Sequence, residues 1–400
     1  MRKVTLKNGL TVIYEPRKSN VVAIEVLIKV GSSNEKENER GISHFIEHML
    51  FEGTKKRPTN KDIANEIEKI GGDLNAYTSN ERTCFYIKVL KKHFDIALDV
   101  LADILQNPLF NEKEIEKEKN VVCKEIDLVN DEPRYYQWIL FQKNLFEKHP
   151  TKYPTYGKKK IVKGLTLEKI KSYYEQNYIP NNMVISIVGD IKDWKHKIEG
   201  AFSFKEKRKV KGLKFVEPPA KRNKTVKEKR NIANTYLILG YKTVPAKHKD
   251  SAILEVIDGV LGRGQSGKMF NEIRGKRGLA YDVGTQHVSE IDYGYFSVYC
   301  SIDKENINLV KKLMLEQLKE VKNITEEELK EAKTYIEGTY FLELEDSQKL
   351  ADNLALWEQV KDVSEMKNFI ERVKRVNLKD VKMAVEKYFK NYTLAIVEGK

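Results

Sequence analysis

The chain has 400 residues, of which 40% are hydrophobic and 33% are charged. That length can hold two or more domains with buried cores, and no apolar run reaches the roughly 20 residues that span a membrane. The net charge is +13, yet 59 acidic residues are interleaved with the 72 basic ones. Because no nucleic-acid-binding module is recognisable, we expect mainly a solvated Lys/Glu surface, with nucleic-acid binding as a rival interpretation. We therefore expect neither membrane nor nucleic acid as a partner.

The first residues and the cysteines indicate the cellular compartment. Basic residues occur within residues 1–9, but no apolar segment follows them as it does in an export signal. The three cysteines lack the spacing of a metal site or a disulfide framework, and they are Cys84, Cys123 and Cys300. We expect a cytoplasmic protein whose thiols are reduced and packed.

The periodicity of apolar residues predicts alternating strands and helices in the first half. The Asn8-Gly9 turn predicts a hairpin between short strands. Further strands are predicted at residues 21–30, 73–78, 83–90 and 183–188. Helices are predicted at residues 59–70, 94–105, 112–130, 134–146 and 167–176. We also expect Ser43 to cap a helix that begins at His44.

The second half repeats the pattern of the first. Residues 85–105 resemble residues 296–318, and residues 112–124 resemble residues 326–338. The pattern predicts an α+β protein of two homologous α/β-roll domains of about 200 residues each, with a mixed, mainly antiparallel sheet and helices packed on it. We place the N-terminal domain at 1–200, a Lys-rich linker at 201–228 and the C-terminal domain at 229–400.

The segment His44-Phe45-Ile46-Glu47-His48 is the strongest chemical signal. On a helix, two histidines four residues apart lie on one face and can hold a single metal ion. Glu47 shares that face and is a candidate general base, in the inverted order of the commoner His-Glu-x-x-His motif. Taken alone, the segment is also compatible with a helical histidine pair that binds no metal.

A catalytic zinc ion needs a third protein ligand, and two carboxylates are candidates. Glu118 and Glu125 are two helical turns apart, so they lie on one face of their helix. In the repeated half, the same positions are occupied by Ala332 and Thr339. The sequence therefore predicts that only the first copy keeps the chemistry.

These residues resemble the pitrilysin, insulysin and mitochondrial processing peptidase family of inverted zinc peptidases. In that family a glutamate roughly eighty residues beyond the motif completes the metal site, and Glu125 is 77 residues beyond His48. The resemblance implies one Zn²⁺ per chain, held by His44, His48 and Glu125. It also implies that Glu47 is the base that activates water and that Glu118 supports the site.

Two further segments extend the resemblance. Residues 71–79 resemble the family's edge strand, which binds substrate as an added β-strand, and the implied contacts are Asn75, Ala76, Tyr77 and Thr78. Without the resemblance this segment is an ordinary hairpin strand. Arg274 and Tyr281 resemble the family's Arg/Tyr element, which binds substrate and stabilises the oxyanion during catalysis.

The resemblance implies a zinc endopeptidase that acts on peptides or on unfolded and precursor segments. The alternative is a non-catalytic partner subunit, although such subunits typically lose the metal ligands or the base. In the family, two pairs of halves close like a clamshell, whereas 400 residues hold one pair. We therefore expect a homodimer in which the partner's Arg274 and Tyr281 complete each zinc site.

Overall fold

Strands form where apolar alternation predicts them. In the computed structural model, which describes residues 1–204 and 215–400, the hairpin around Gly9 and the later strands are present. The strands are β1 Arg2–Thr5, β2 Thr11–Pro16, β3 Val21–Ile28, β4 Asp73–Thr78, β5 Thr83–Leu90, β6 Met183–Gly189, β7 Lys224–Lys229, β8 Thr235–Lys242, β9 Ala280–Ser289, β10 Gly294–Ile302 and β11 Thr393–Glu398.

The helices also begin and end near their predicted limits. Thr59, for example, caps its helix by accepting a hydrogen bond from the backbone amide of Asp62. The helices are α1 Ile42–Leu50, α2 Asn60–Glu68, α3 Phe94–Gln106, α4 Glu112–Asp131, α5 Pro133–Leu145, α6 Lys159–Lys163, α7 Leu167–Asn177, α8 Trp194–Ala201, α9 Ser251–Gly262, α10 Lys268–Phe270, α11 Ile307–Glu320, α12 Glu326–Glu343, α13 Ser347–Val360, α14 Glu365–Arg375 and α15 Leu378–Tyr388. Among the described residues, none of these helices is both long and apolar enough to cross a membrane.

The two sheets share one topology, which confirms the predicted duplication. In the first sheet the strand order is β1-β2-β6-β3-β5-β4, and β2 and β6 are parallel whereas the other pairs are antiparallel. In the second sheet the order is β7-β11-β8-β10-β9, and β7 and β11 are the parallel pair. Removing β1 makes the two orders equivalent, strand for strand. The predicted α+β fold class, with mixed and mainly antiparallel sheets, is confirmed.

The compact units of the structure differ from the boundaries predicted at residues 200 and 229. The first unit comprises Met1–Asp127, residues 154–204 and Glu343–Met366, and the second comprises Leu128–Tyr153, residues 215–342 and Lys367–Lys400. Part of the predicted linker at 201–228 lies outside the described residues, and its last part forms β7.

Packing explains why each unit takes one segment from the other half of the sequence. Helix α13 packs on β3 and β6 of the first sheet, where the Ser186 hydroxyl donates to the Ala351 carbonyl at 2.7 Å. Helix α5 packs on β8 and β11 of the second sheet. There the Phe141 ring lies directly over Gly240. The contact is so close that a Cβ atom at position 240 would come within 2.5 Å of the ring. Apolar periodicity identifies both helices but not the sheet that each one covers.

Candidate metal centre

Helix α1 begins earlier than predicted and has a different cap. Gly41 directly precedes the first turn of α1, and its backbone is in the left-handed region, with φ of 99°. A Cβ atom at this position would lie 2.5 Å from the carbonyl oxygen of Tyr156. The buried carboxylate of Glu35 accepts hydrogen bonds from the amides of Gly41 and Ser43, at 2.8 and 2.9 Å. The expectation that Ser43 caps the helix is wrong, because Ser43 lies inside α1 and its hydroxyl pairs with that of Tyr173.

The Glu35 carboxylate therefore satisfies two of the amides at the start of α1 that lack a partner within the helix. Its side chain is almost fully buried, and this burial raises the pKa of Glu35 to about 7 even though the two amide hydrogen bonds favour the charged form. No local pattern in the sequence marks Glu35 as a cap, since it lies nine residues upstream of the motif.

The predicted ligands His44, His48 and Glu125 lie together. Helix α1 supplies the two histidines and α4 supplies the carboxylate, and the candidate ligand atoms all lie within 4.8 Å of one another. The Nε2 atoms of His44 and His48 are 3.6 and 3.5 Å from different oxygens of Glu125. Ligands of a tetrahedral zinc ion with bonds of about 2.0–2.1 Å are about 3.3–3.4 Å apart. The donor set and its spacing therefore fit one zinc ion with a fourth position open.

Glu118 lies behind His48. Its Oε2 atom is 3.2 Å from Nδ1 of His48, and its side chain is buried against α1. A carboxylate at this position fixes the orientation of the imidazole ring and makes Nε2 a better ligand. Burial disfavours the charged form of His48, but the hydrogen bonds to Glu118 and Glu125 outweigh it and raise its pKa to about 9.

The two histidines differ in their electrostatics. Burial, together with the charge of His48, lowers the pKa of His44 to about 4. His44 is therefore neutral and ready to donate a lone pair at neutral pH, whereas His48 has to release a proton before it can bind a metal. The Glu125 carboxyl has a lowered pKa, chiefly because His48 donates a hydrogen bond to it.

Glu47 lies on the same helix but is held by a different strand. The Thr78 hydroxyl of β4 donates to Oε2 of Glu47 at 2.5 Å. Burial raises the pKa of Glu47, although the hydrogen bond from Thr78 opposes this effect. Thr78 was predicted as a residue of the edge strand, and its contact with Glu47 could be inferred only once β4 was known to lie against α1.

Strand β4 is the last strand of the first sheet, as predicted for an edge strand. Ala76 and Thr78 are on the side of the strand that faces α1, while Asn75 and Tyr77 alternate to the opposite side. The Tyr77 hydroxyl donates to Asp352 of α13, and the Ala76 amide donates to Oδ1 of Asn75 at 2.8 Å. The structure therefore brings Thr78 to Glu47 and directs the Tyr77 side chain to the other face.

Arg274 and Tyr281 lie together in the second unit. A π-helical turn at Asn271–Gly275 carries Arg274, whose guanidinium donates to the Tyr281 carbonyl and lies 5.3 Å from the centre of the Tyr281 ring. Tyr281 stands near the start of β9 and is 73% exposed. The predicted Arg/Tyr pair thus forms one local cluster with a phenol open to solvent.

The sequence is similar to that of known peptidases along most of its length. A sequence model described as Insulinase (Peptidase family M16) matches residues 11–159, and one described as Peptidase M16 inactive domain matches residues 164–336. An uncharacterized zinc protease of Bacillus subtilis is 35% identical over 80% of this chain and 78% of its own length. Another, from Rickettsia felis, is 32% identical over 98% of this chain and 96% of its own length.

The fold is also similar to that of a solved protease. The crystal structure of a protease from Helicobacter pylori matches with a TM-score of 0.93 at 26% identity and covers 99% of both chains. The three candidate ligands, Glu47 and Glu118 all lie within the first matched segment. The segment matched by the Peptidase M16 inactive domain begins at residue 164, beyond all five of these residues.

Proposed function

The chain belongs to peptidase family M16, the insulinase family, and we propose from this that it is a zinc-dependent endopeptidase acting on peptides or on unfolded and precursor segments. The observation that carries the proposal is the convergence of His44, His48 and Glu125 within 4.8 Å, next to the partly buried carboxyl of Glu47. A non-catalytic subunit would have no need for this complete set of ligands and base.

Each residue has a defined role in the proposed reaction. His44, His48 and Glu125 would hold the zinc ion, which would supply a Lewis acid that acidifies water and polarises the scissile carbonyl. Glu47 accepts the proton of the attacking water and delivers it to the leaving nitrogen. The hydrogen bond from Thr78 holds the Glu47 carboxylate in place, and burial brings its pKa closer to the working pH. Glu118 orients His48.

The outer edge of β4 is the proposed binding site for substrate. An extended peptide can pair with an edge strand through backbone hydrogen bonds, which provides affinity with little demand on the peptide's side chains. Residues 75–78 would make these contacts, and the Ala76 amide would exchange its bond to Asn75 for one to the substrate. Since Thr78 ends this strand and holds Glu47, the bound peptide would run towards the base.

The substitution Glu47→Gln tests the function. It retains the shape of the side chain and all three metal ligands but removes the base, so turnover should fall by about 10²–10⁴-fold while zinc content is unchanged. Zinc analysis and cleavage of a peptide library are the measurements. Glu68→Gln, at an exposed position of α2, is the matched control and should leave turnover unaltered. Cleavage at the wild-type rate by Glu47→Gln would refute the proposed mechanism.

We further propose that the active form is a homodimer in which Arg274 and Tyr281 of each chain serve the zinc site of the other. The proposal is supported by their location in a different compact unit from the metal ligands and by the exposure of the Tyr281 phenol. In this role Arg274 holds the substrate carbonyl and the Tyr281 hydroxyl donates a hydrogen bond to the developing oxyanion.

A mixture of two inactive variants tests the arrangement. Glu47→Gln and Tyr281→Phe chains are unfolded together and refolded in equal amounts so that mixed dimers form. If the sites are completed between chains, one site of each mixed dimer carries both defects and the other carries none. Half of the dimers are mixed, so about a quarter of the wild-type activity should return. If each chain completes its own site, both sites of the mixed dimer are defective and activity stays absent.

A further inference from the structure

A second group of metal-ligand atoms is buried on the opposite face of the first sheet, beneath α13. Glu25 of β3, Cys84 of β5 and Asp352 of α13 bring two carboxylates and a thiol within 4.8 Å of one another. Glu25 and Cys84 are both fully buried. All three residues belong to the first compact unit, and the strand alternation that directs Thr78 towards α1 directs these side chains towards α13.

The polar contacts of this group are incomplete. Oε2 of Glu25 accepts a hydrogen bond from Nε2 of Gln348 at 3.3 Å, and Asp352 accepts one from Tyr77. Oε1 of Glu25 is buried and has no hydrogen-bond partner of acceptable geometry among the described residues. A buried carboxylate oxygen without a partner costs about 1–3 kcal/mol or more, so this atom requires an explanation.

A fully buried carboxylate and a partly buried one this close repel each other unless a positive charge compensates them. Burial raises the pKa of Glu25, and the neighbouring Asp352 carboxylate raises it further, whereas the Cys84 thiol and the charge of Arg82 oppose this effect. The alternative to a cation is a proton shared between the carboxyls, which would remove one negative charge. A divalent cation would neutralise both carboxylates and also use the sulfur. Thiolate and carboxylate together are a donor set suited to zinc and similar borderline metals.

We propose that Glu25, Cys84 and Asp352 bind a second divalent metal ion of the zinc type, separate from the catalytic centre and structural in function. Two ligands come from neighbouring strands and the third from α13, which returns to the first unit from the second half of the sequence. The ion would therefore fix α13 on the sheet that carries the catalytic helix on its other face. Like other structural metals, it would couple its binding energy to folding.

Substitution of Co²⁺ for the native metal gives a test that the catalytic site does not obscure. The ligands of the catalytic site are nitrogen and oxygen, so a sulfur-to-cobalt charge-transfer band can arise only where a thiolate binds the ion. Protein refolded with Co²⁺ should contain two ions per chain and show this band. One ion per chain and no band in the wild-type protein would overturn the proposal, and this readout requires no variant to fold.

Variants then assign the band. Cys84→Ala should abolish it and reduce metal content by one ion per chain, while peptide cleavage persists. Asp352→Asn, which retains the volume of the side chain, should also lose this ion. Cys300→Ala, at a buried thiol of the second unit, is the matched control and should retain both ions and the band. A band that survives in Cys84→Ala would overturn the assignment.

The proposal does not depend on the peptidase activity. His44→Ala removes a ligand of the catalytic site only, so it should reduce metal content by one ion and leave the band intact. Loss of the band in His44→Ala would show that the band depends on the catalytic site, and it would overturn the proposal of a separate site. Peptide cleavage by the wild-type protein, measured independently, decides the proposed function.

Discussion

The two halves of this chain share one sheet topology, apart from the extra strand β1, and differ in the polar residues of one equivalent helix. Helices α4 and α12 occupy equivalent places, and their core-facing residues Ile115 and Leu329 are equally buried, with exposures of 2% in both cases. The residues of α4 that face the candidate metal site, Glu118 and Glu125, correspond to Ala332 and Thr339 in α12. The comparison shows that the apolar positions that maintain the fold and the polar positions that carry the chemistry vary independently.

A second difference lies on the other face of each sheet. Tyr86 and Ser297 are equivalent in the repeat, and the strand partners opposite them are Glu25 and Gly240. Around Gly240 the covering helix α5 supplies the Phe141 ring, which packs edge-on against Tyr295. The second unit therefore seals this position with aromatic rings, whereas the first unit buries an acid there. A buried acid needs compensation, and the metal proposed above provides it.

The largest effect expected from this comparison is loss of the catalytic metal. Glu125→Ala removes one of the three ligands, so zinc affinity should fall by more than the about 10–100-fold that follows the loss of a hydrogen-bond partner of a ligand. Thr339→Ala, at the equivalent position of α12, should leave zinc content and turnover unchanged. Metal analysis after dialysis against a weak chelator measures both variants. Wild-type zinc content in Glu125→Ala would exclude Glu125 as a ligand.

The next effect concerns the acids at the starts of the equivalent helices α1 and α9. Glu35 is buried, and its pKa is raised to about 7 by that burial. Asp250 precedes α9, and hydrogen bonds from Lys387 and Tyr388 outweigh partial burial and lower its pKa. The two carboxyls should therefore give the stability of the protein opposite dependences on pH.

The sign follows from which state binds the proton. Between pH 4.5, the ordinary value for glutamate, and about 7, the folded protein holds the Glu35 proton while the unfolded chain has lost it. The contribution of Glu35 to the free energy of unfolding is complete below pH 4.5 and is lost as the pH rises to 7, a change of up to about 3 kcal/mol. For Asp250, whose ordinary pKa is 3.8, the contribution is present above that pH and is lost on acidification.

Denaturant titrations of Glu35→Gln and Asp250→Asn between pH 3 and 8 measure both contributions. Relative to wild type, Glu35→Gln should be least stable at the acidic end and should improve as the pH rises. Asp250→Asn should show the reverse trend. Parallel pH profiles for the two variants would contradict the assigned pKa directions.

Sequence patterns were sufficient to predict the elements and to select the three candidate metal ligands that the fold brings together. A motif such as His44–His48 specifies its own geometry on a helix, and Glu118 and Glu125 share a face for the same reason. The strands and the duplicated topology follow from apolar alternation and turn residues. These features depend on contacts between residues close in sequence, which periodicity records directly.

The features that the sequence did not reveal depend on contacts between distant segments. Glu35 reaches α1 across a loop, and Asp352 reaches β3 and β5 from more than 250 residues away. Cys84 was expected to be a packed thiol, which it is, but the two carboxylates beside it come from β3 and α13 and share no spacing with it. Tertiary packing, rather than local propensity, places such groups together.

The smallest effect expected in this comparison is that of Glu118→Gln. The amide retains the volume of the side chain and an acceptor for Nδ1–H of His48, 3.2 Å away, but it removes the charge that makes the imidazole a stronger ligand. Zinc affinity should fall by about 10–100-fold, which corresponds to about 1.4–2.7 kcal/mol. Competition with a chromophoric chelator measures it, with Glu116→Gln at an exposed position of the same helix as control. Equal affinities in the two variants would mean that Glu118 only fills space between α1 and α4, as Ala332 does in the second half.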